Sequence, residues 1–137
     1  MRPIAEIFSQ GEEVVTGQIL DSNAALLSQQ LSGMWFTVRR HSAVGDRLQD
    51  LVSVLVEIAG RADCCICTGG LGPTVDDLTA QAVSFATGKP LAFDEEAMRW
   101  ISAYFELRQR PMPEINRKQA MLPKGSTRID NPVGTAP

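Results

Sequence analysis

The order of apolar and polar positions predicts strands and helices in alternation. Short apolar runs that predict strands lie at residues 4–8, 35–44 and 62–68. Elsewhere apolar residues recur every three or four positions, which is typical of helices with one buried face. These patterns predict one helix that Asp21 or Ser22 caps and that ends near Gly33, and another from the glycine turn to about Thr87, where Gly88 ends it. Further helices are predicted over residues 46–59, from Asp94, and, as a short one, over residues 114–121. Residues 127–129 are a further candidate strand.

The strand candidate at residues 62–68 is apolar throughout rather than at alternate positions. Continuous apolar runs are typical of strands in the middle of a parallel sheet, so this position is expected for it. The alternation predicts an α/β fold: a three-layer, mostly parallel sheet with helices on both faces, in a single domain over residues 1–137. The helix from Asp94 is expected to bury one face, formed by Ala97, Trp100, Ile101, Tyr104 and Phe105.

Composition is that of a soluble globular domain. The 137 residues are 44% hydrophobic and 21% charged, with a formal net charge of −3. This charge gives no electrostatic reason to expect nucleic acid or an anionic membrane as a partner. No apolar run approaches the roughly 20 residues that span a bilayer. The first residues lack a basic-then-apolar signal pattern, so a cytoplasmic location is expected.

Three cysteines lie close together, as Cys64, Cys65 and Cys67. Along a strand Cys65 and Cys67 share one face and Cys64 takes the other, so the three do not converge on one metal. His41 is the only histidine. A zinc site and a disulfide framework are therefore disfavoured, and small buried residues in a reducing compartment are the preferred interpretation.

Ligands of open parallel sheets bind beyond the carboxyl ends of the strands. The loops that leave those ends cover residues 9–17, 44–47 and 69–79, and each carries carboxylates. These acids are Glu12, Glu13, Asp46, Asp76 and Asp77.

Each acid also has a plain structural interpretation. Asp46 is suited to cap a helix, Asp76 to lie as a charge at a helix start, and Glu12 with Glu13 to form a solvated turn. Asp77 is harder to explain in this way. Arg117 and Lys118 are candidates to neutralise a phosphate, against the alternative of a solvated helix face.

The most distinctive segment is the glycine turn at residues 68–79, where a buried strand leads into a helix. Glycines let a backbone approach a ligand closely, and the first amides of the helix are expected to face an anion there. No Gly-Lys-Ser/Thr follows, so this is not a Walker loop, and the spacing does not fit the dinucleotide fingerprint. Carboxylates beside a phosphate require a cation, so the residues indicate a phosphate-containing ligand and a divalent metal.

At this segment the chain resembles a known family. Thr68-Gly69-Gly70-Leu71-Gly72-Pro73-Thr74, followed by Asp76-Asp77-Leu78-Thr79, is similar to the signature of molybdopterin-binding domains. The Gly-Gly-Leu-Gly-Pro-Thr variant resembles the amino-terminal domain of the competence/damage-inducible CinA proteins. Residues 11–13, 17, 21–23, 44–46, 110–113, 116–120 and 131–137 resemble the flanking segments of that branch.

The resemblance implies roles for particular residues. Asp46 and Asp77 are expected to be catalytic, and Glu13, Asp46 and Asp77 to hold a divalent metal such as Mg²⁺, Mn²⁺ or Co²⁺. The remaining expected contacts are with the ligand and its phosphates. They are Thr68, Gly69, Gly70, Gly72, Pro73, Thr74, Asp76, Thr79, Asn23, Arg117, Lys118, Asn131, Gly134 and Thr135.

The implied function is metal-dependent hydrolysis of a nucleotide pyrophosphate such as ADP-ribose. The alternatives are a molybdopterin-binding domain of molybdenum-cofactor biosynthesis, and a non-catalytic binding module or fragment. The expected partner is therefore a small nucleotide or pterin phosphate. Two departures from the family pattern bear on this. Glu12 stands where the family usually has Asp, and the resemblance stops at Pro137, before the Gly-x-Pro-x-Glu-like segment that usually follows. The second predicts an apparently truncated domain with an open sheet edge, and hence a homo-oligomer, a dimer or trimer.

Overall fold

The computed structural model describes all 137 residues. It contains five strands, five α-helices and one 3-10 helix. In chain order these are β1 Ile4–Gln10, α1 Glu12–Val15, α2 Ser22–Gly33, β2 Thr37–Val44, α3 Leu48–Ala59, β3 Cys64–Thr68, α4 Thr79–Thr87, β4 Leu91–Phe93, α5 Glu95–Leu107, the 3-10 helix Glu114–Ala120 and β5 Met121–Pro123. None of the helices combines the length and apolarity needed to cross a membrane.

The main sheet is parallel and three-stranded, in the order β2-β1-β3. The first strand is therefore central, and the prediction that residues 62–68 lie in the middle of the sheet is wrong. All residues of β1 after Ile4 are buried, whereas every residue of β3 is half-buried. The continuous apolar run of β3 reflects contacts on both of its faces rather than strands on both of its sides.

Helices cover both faces of this sheet, which confirms the predicted three-layer α/β fold. On one face Phe8 packs with Leu51 and Ile58 of α3 and with Ala82 of α4. On the other face Ile7 lies in a cluster that includes residues of α2. Neighbouring residues of β1 thus serve opposite layers, because side chains alternate across a strand. The cysteines follow the same rule: Cys65 and Cys67 pack on the first face and Cys64 on the second.

The residues after α4 form a smaller unit, in which α5 and the short helix near residue 114 were predicted and strands β4 and β5 were not. Strands β4 and β5 pair antiparallel, and α5 packs on the 3-10 helix and β5 through Ala97, Ile101 and Ala120. Residues 127–129 form no strand, contrary to prediction. Trp100 is 46% exposed, so its predicted burial is also wrong. The buried residues of α5 are Ala97 and Ile101 alone, because this unit covers only a narrow stripe of the helix.

Helix ends follow local chemistry. The carboxylate of Asp21 accepts a hydrogen bond from the Ala24 amide at 2.9 Å, which caps α2 as predicted. Gly88 ends α4 with φ of 66°, a left-handed conformation that glycine adopts without a steric penalty.

Candidate functional site

The three parallel strands deliver their following loops to one edge of the sheet. The first loop begins at Gly11, whose amide donates to the carbonyl of Val44 at 3.0 Å, where the second loop begins. The third is the glycine turn between β3 and α4. The structure therefore brings together the three acid-bearing loops that the sequence predicted to meet.

The residue that joins these loops is Gln10, which sequence reasoning missed. Its side chain donates to Asp46 Oδ1 at 2.7 Å and to the carbonyl oxygen of Asp76 at 2.5 Å. Its amide oxygen accepts from the Leu78 amide and from Thr79 Oγ1. One feature of the sequence could have indicated Gln10, because it is a polar residue at the end of an apolar strand. A polar side chain that is buried at such a position requires a hydrogen-bond partner.

The glycines of the turn are required by close packing on Gln10. Gly69 and Gly70 have φ of 78° and 62°, in the left-handed region. A Cβ at Gly69 would clash with the backbone carbonyl of Gln10. A Cβ at Gly70 would clash with the side-chain amide of Gln10 and would lie 2.5 Å from Thr79 Oγ1. The backbone of the glycine turn therefore makes the predicted close approach, and one of the groups that it approaches is the Gln10 side chain.

The start of α4 is partly occupied by bonds within the chain. The Leu78 amide donates to Gln10 and the Thr79 amide donates to the carbonyl of Gly70 at 3.2 Å. These two amides are therefore not free for an anion. The amides of Gly70 and Leu71, and those of Ala80 and Gln81 in the first turn of α4, donate no hydrogen bond within the chain, so they remain available to an anion.

Asp77 shapes the glycine turn from within it. Its Oδ2 accepts from the Thr74 amide at 2.9 Å and from Thr74 Oγ1 at 2.6 Å, and lies 2.5 Å from where a Cβ of Gly72 would be. Partial burial acts to raise the pKa of Asp77. The Thr74 hydroxyl, the amides of Thr74 and Gly72, and the charge of Lys118 outweigh burial and hold this pKa below its ordinary value.

Asp46 does not cap its helix. The residue before α3 is Arg47, and no side chain caps that helix end. The carboxylate of Asp46 instead accepts from Gln10, so the capping interpretation of Asp46 is wrong. Asp76 is exposed, and its backbone carbonyl rather than its carboxylate takes the bond from Gln10.

The two glutamates of the first loop point to different places. The Glu12 carboxylate occupies the space where a side chain at Gly45 would lie. The Glu13 carboxylate folds back towards Gly11, 2.8 Å from where a Cβ would be. No three His, Cys, Asp or Glu side chains are gathered into a metal-binding cluster. Glu13, Asp46 and Asp77 thus form no preassembled cage, and their role as metal ligands stays a prediction.

Thr68 ends β3 beside a buried hydroxyl. Its Oγ1 donates to Ser9 Oγ at 3.2 Å, and Ser9 Oγ donates to Asp21 Oδ2 at 2.5 Å. This chain of hydrogen bonds fixes the start of α2, where Asn23 is exposed in the first turn. Ser9 and Asp21 therefore support the site edge from inside, while ligand contacts of Thr68 and Asn23 stay predictions.

The two predicted cations lie apart. Lys118 Nζ donates to the carbonyl of Thr74 and so reaches the glycine turn. Arg117 points elsewhere: it pairs with Glu114 at 3.2 Å and lies over the ring of Phe93. The structure therefore brings Lys118 to the turn, and Arg117 lies on the solvated side of the 3-10 helix.

A cleft of about 320 Å³ opens beside the glycine turn. Its polar lining includes Asp77, Lys118 and Gln119, and Gln119 Nε2 donates to the Leu71 carbonyl at 3.1 Å. The other lining residues are Gly70, Leu71, Gly72, Ala80, Gln81, Leu91, Met121, Leu122, Ala136 and Pro137. Pro73 and Thr74 line an adjoining depression that shares Lys118.

The predicted contacts near the carboxyl end hold a turn of their own. Asn131 Oδ1 accepts from the amides of Val133 and Gly134, and its Nδ2 donates to the carbonyl of Ala136 at 2.8 Å. Asn131 and Gly134 also face α5 across a small depression. The neighbouring Thr135 is half-buried. Asn131 thus shapes the segment whose end, Ala136 with Pro137, reaches the cleft.

This geometry agrees with what comparison with known proteins finds. The family described as "Probable molybdopterin binding domain" matches residues 6–137. The chain belongs to this family. A CinA-like protein of Desulfosudis oleivorans is 48% identical over 134 residues, which are 98% of the chain and 32% of that relative. A CinA-like protein of Shewanella sediminis is 47% identical over 96% of the chain and 31% of its own length. The chain thus spans about a third of these relatives.

Two solved structures are similar to this fold. The crystal structure of the protein CinA from Thermoplasma acidophilum matches with a TM-score of 0.91 and 31% identity, over 99% of this chain and 79% of that one. MoaB of Thermus thermophilus, a molybdopterin biosynthesis enzyme, matches with a TM-score of 0.58 over 88% of this chain and 79% of its own. At 18% identity the second likeness shows the shared fold alone.

Proposed function

We propose that this molybdopterin-binding-type domain binds a nucleotide pyrophosphate such as ADP-ribose in the glycine-turn cleft and hydrolyses it with a divalent metal. The observation that carries the proposal is the polar lining of one cleft. It combines the Asp77 carboxylate, the Lys118 ammonium group, and the free amides of Gly70 and Leu71. Amides and a lysine bind phosphate oxygens, whereas an ionised carboxylate beside them calls for a cation.

The residues present fit a divalent metal whose shell the ligand completes. Mg²⁺ commonly takes one or two carboxylates and obtains its other ligands from substrate phosphates and water. Asp46 and Asp77 are the residues that would hold it, and Asp46 is bonded within the chain through Oδ1 alone. Such a cation supplies polarisation of a phosphoryl oxygen and a lowered pKa of the attacking water.

Groups of the chain itself would bind the phosphate of the ligand and offset its negative charge. The free amides of Gly70 and Leu71 would hold the phosphate, and Lys118 would offset the charge that develops on it. Because its pKa is lowered, Asp77 stays ionised across the neutral range and keeps its affinity for a cation. No histidine contributes: the Nε2 atom of His41 contacts the hydroxyl of Ser28 on α2.

Release of AMP from ADP-ribose, measured with and without Mg²⁺, Mn²⁺ or Co²⁺, tests the proposal. We expect metal-dependent turnover that falls at least roughly 100-fold in Asp77→Ala, because an electrostatic group at the reacting phosphate is lost. Asp50→Ala is the matched control, since it removes an exposed carboxylate of α3 that pairs only with Arg47. Absence of turnover in every metal, from protein shown to be folded, would contradict hydrolysis.

The family match supports molybdopterin as a second candidate ligand. A pterin-binding domain predicts tight binding of molybdopterin with little hydrolysis of ADP-ribose. Titration of the protein with molybdopterin, followed by the same assay for AMP, separates the two candidates. Binding of either ligand without any turnover would instead indicate a non-catalytic module.

A further inference from the structure

The side chain of Gln10 is buried where the three loops of the site meet. It is the last residue of the central strand β1 and is only 5% exposed. A buried amide requires partners, and all four of its hydrogen bonds reach residues of the second loop or of the segment from the glycine turn to α4. These partners lie 36 to 69 positions later in the chain.

Its partners define which way the amide faces. Nε2 lies against two acceptors, Asp46 Oδ1 and the Asp76 carbonyl, whereas Oε1 lies against two donors, the Leu78 amide and the Thr79 hydroxyl. The reversed amide would set oxygen against a carboxylate and nitrogen against an N–H group. The single Thr79 hydroxyl proton is shared between Gln10 and the Gly69 carbonyl, at 2.9 and 2.8 Å.

We propose that Gln10 is a positioning residue that holds the Asp46 carboxylate and the glycine turn in a fixed relation. No other side chain hydrogen-bonds to Asp46, and that residue caps no helix. A neutral amide orients this carboxylate and leaves its negative charge available to a cation. A lysine or arginine at the same place would neutralise that negative charge. This role rests on the proposed hydrolysis, because Asp46 and the turn are its metal and phosphate groups.

Two substitutions separate the two halves of the amide. Gln10→Glu keeps an acceptor for the Leu78 amide but loses the N–H groups that donate to Asp46 and Asp76, whereas Gln10→Leu loses both functions. Gln29→Glu makes the same change of charge on an exposed position of α2 and is the matched control. Circular dichroism of each variant verifies folding before any comparison.

For turnover we expect Gln10→Glu to lower kcat roughly 10- to 100-fold at pH 8, with KM changed less than about threefold. A merely structural role would lower the amount of folded protein or change KM as much as kcat, so the split between kcat and KM separates the two roles. Unchanged kcat in Gln10→Glu would overturn the proposal.

Amide hydrogen exchange tests the same contacts without relying on activity. The Leu78 amide should exchange at least tenfold faster in Gln10→Leu than in wild type, yet remain protected in Gln10→Glu and in Gln29→Glu. Equal protection in Gln10→Leu would show that Gln10 does not hold the turn and would overturn the inference. If wild-type protein releases no AMP, the proposed hydrolysis fails, while the exchange data still decide whether Gln10 joins β1 to the turn.

Discussion

At the scale of single residues, the site edge is held by close contacts, some within one turn and others between groups far apart in the chain. Asp77 folds onto Thr74, Asp46 bonds to Gln10, and Gly70 closes over Gln10 and Thr79. Several residues that look like ligand contacts in the sequence are thus also parts of the protein's internal packing. Gly70 combines a left-handed backbone with close contacts, and the stability cost of each can be measured separately by comparison with a glycine that has only the first.

We expect Gly70→Ala to destabilise the domain by about 2–5 kcal/mol. Left-handed backbone costs a side-chain-bearing residue about 1–2 kcal/mol, and overpacking adds about 1–3 kcal/mol. Gly88→Ala is the matched control, because Gly88 has nearly the same φ, 66° against 62°, but nothing within 4 Å of an added Cβ. Urea unfolding measures both variants, and equal losses would show that the contact with Gln10 carries no cost.

At the scale of elements, an ion pair joins the central strand to the end of α3. Glu6 is 1% exposed, and its two carboxylate oxygens accept from Arg61 Nε at 2.9 Å and Nη2 at 3.0 Å. The hydrogen bonds from Arg61 outweigh burial and lower the pKa of Glu6. The stabilisation that this lowered pKa provides is present above the unfolded pKa, near 4.5, and is lost as pH falls through the lower folded value.

Arg61→Met should destabilise the protein by about 3 kcal/mol at pH 7, because a buried carboxylate is left unpaired. That loss should shrink at pH 4.5, since an unpaired buried carboxyl has a raised pKa and becomes neutral there. Urea unfolding at the two pH values measures the difference. Glu57→Gln is the control: it removes only the exposed partner of Arg61, and we expect a change of about 1 kcal/mol or less. A pH-independent loss in Arg61→Met would contradict this account.

At the scale of the whole molecule, the main sheet has two open edges. Strand β2 carries exposed charged residues, Arg39 and Arg40, which oppose strand pairing between copies. Strand β3 carries no charge and borders a hydrophobic cavity of about 400 Å³ lined by residues of α3 and α4. The edge of β3 is therefore the part of the sheet with least protection against association.

The expectation of a dimer or trimer remains a prediction at this scale. Sedimentation equilibrium against the chain mass of 14.9 kDa measures it directly. We expect a mass two or three times that of the chain, because an unprotected strand edge offers backbone donors and acceptors to another copy. A single species of chain mass at every concentration would contradict the prediction.

The sequence by itself determined the features that depend on neighbouring residues. The helix cap at Asp21, the left-handed end of α4 at Gly88, and the helices on both faces of a parallel sheet all follow from local patterns. The carboxyl ends of the strands and their acid-bearing loops were predictable for the same reason, because parallel strands present those ends at one edge.

Only the tertiary structure decided what depends on distant residues. In the structure β3 lies at an edge of the sheet, and Glu12 rather than Glu13 lies over Gly45. Asp46 accepts a hydrogen bond from Gln10 instead of capping a helix. Gln10 shows the physical reason most clearly. The structural role of a buried polar side chain depends on its hydrogen-bond partners. The partners of Gln10 are up to 69 positions away in the chain, so no local pattern of residues identifies them.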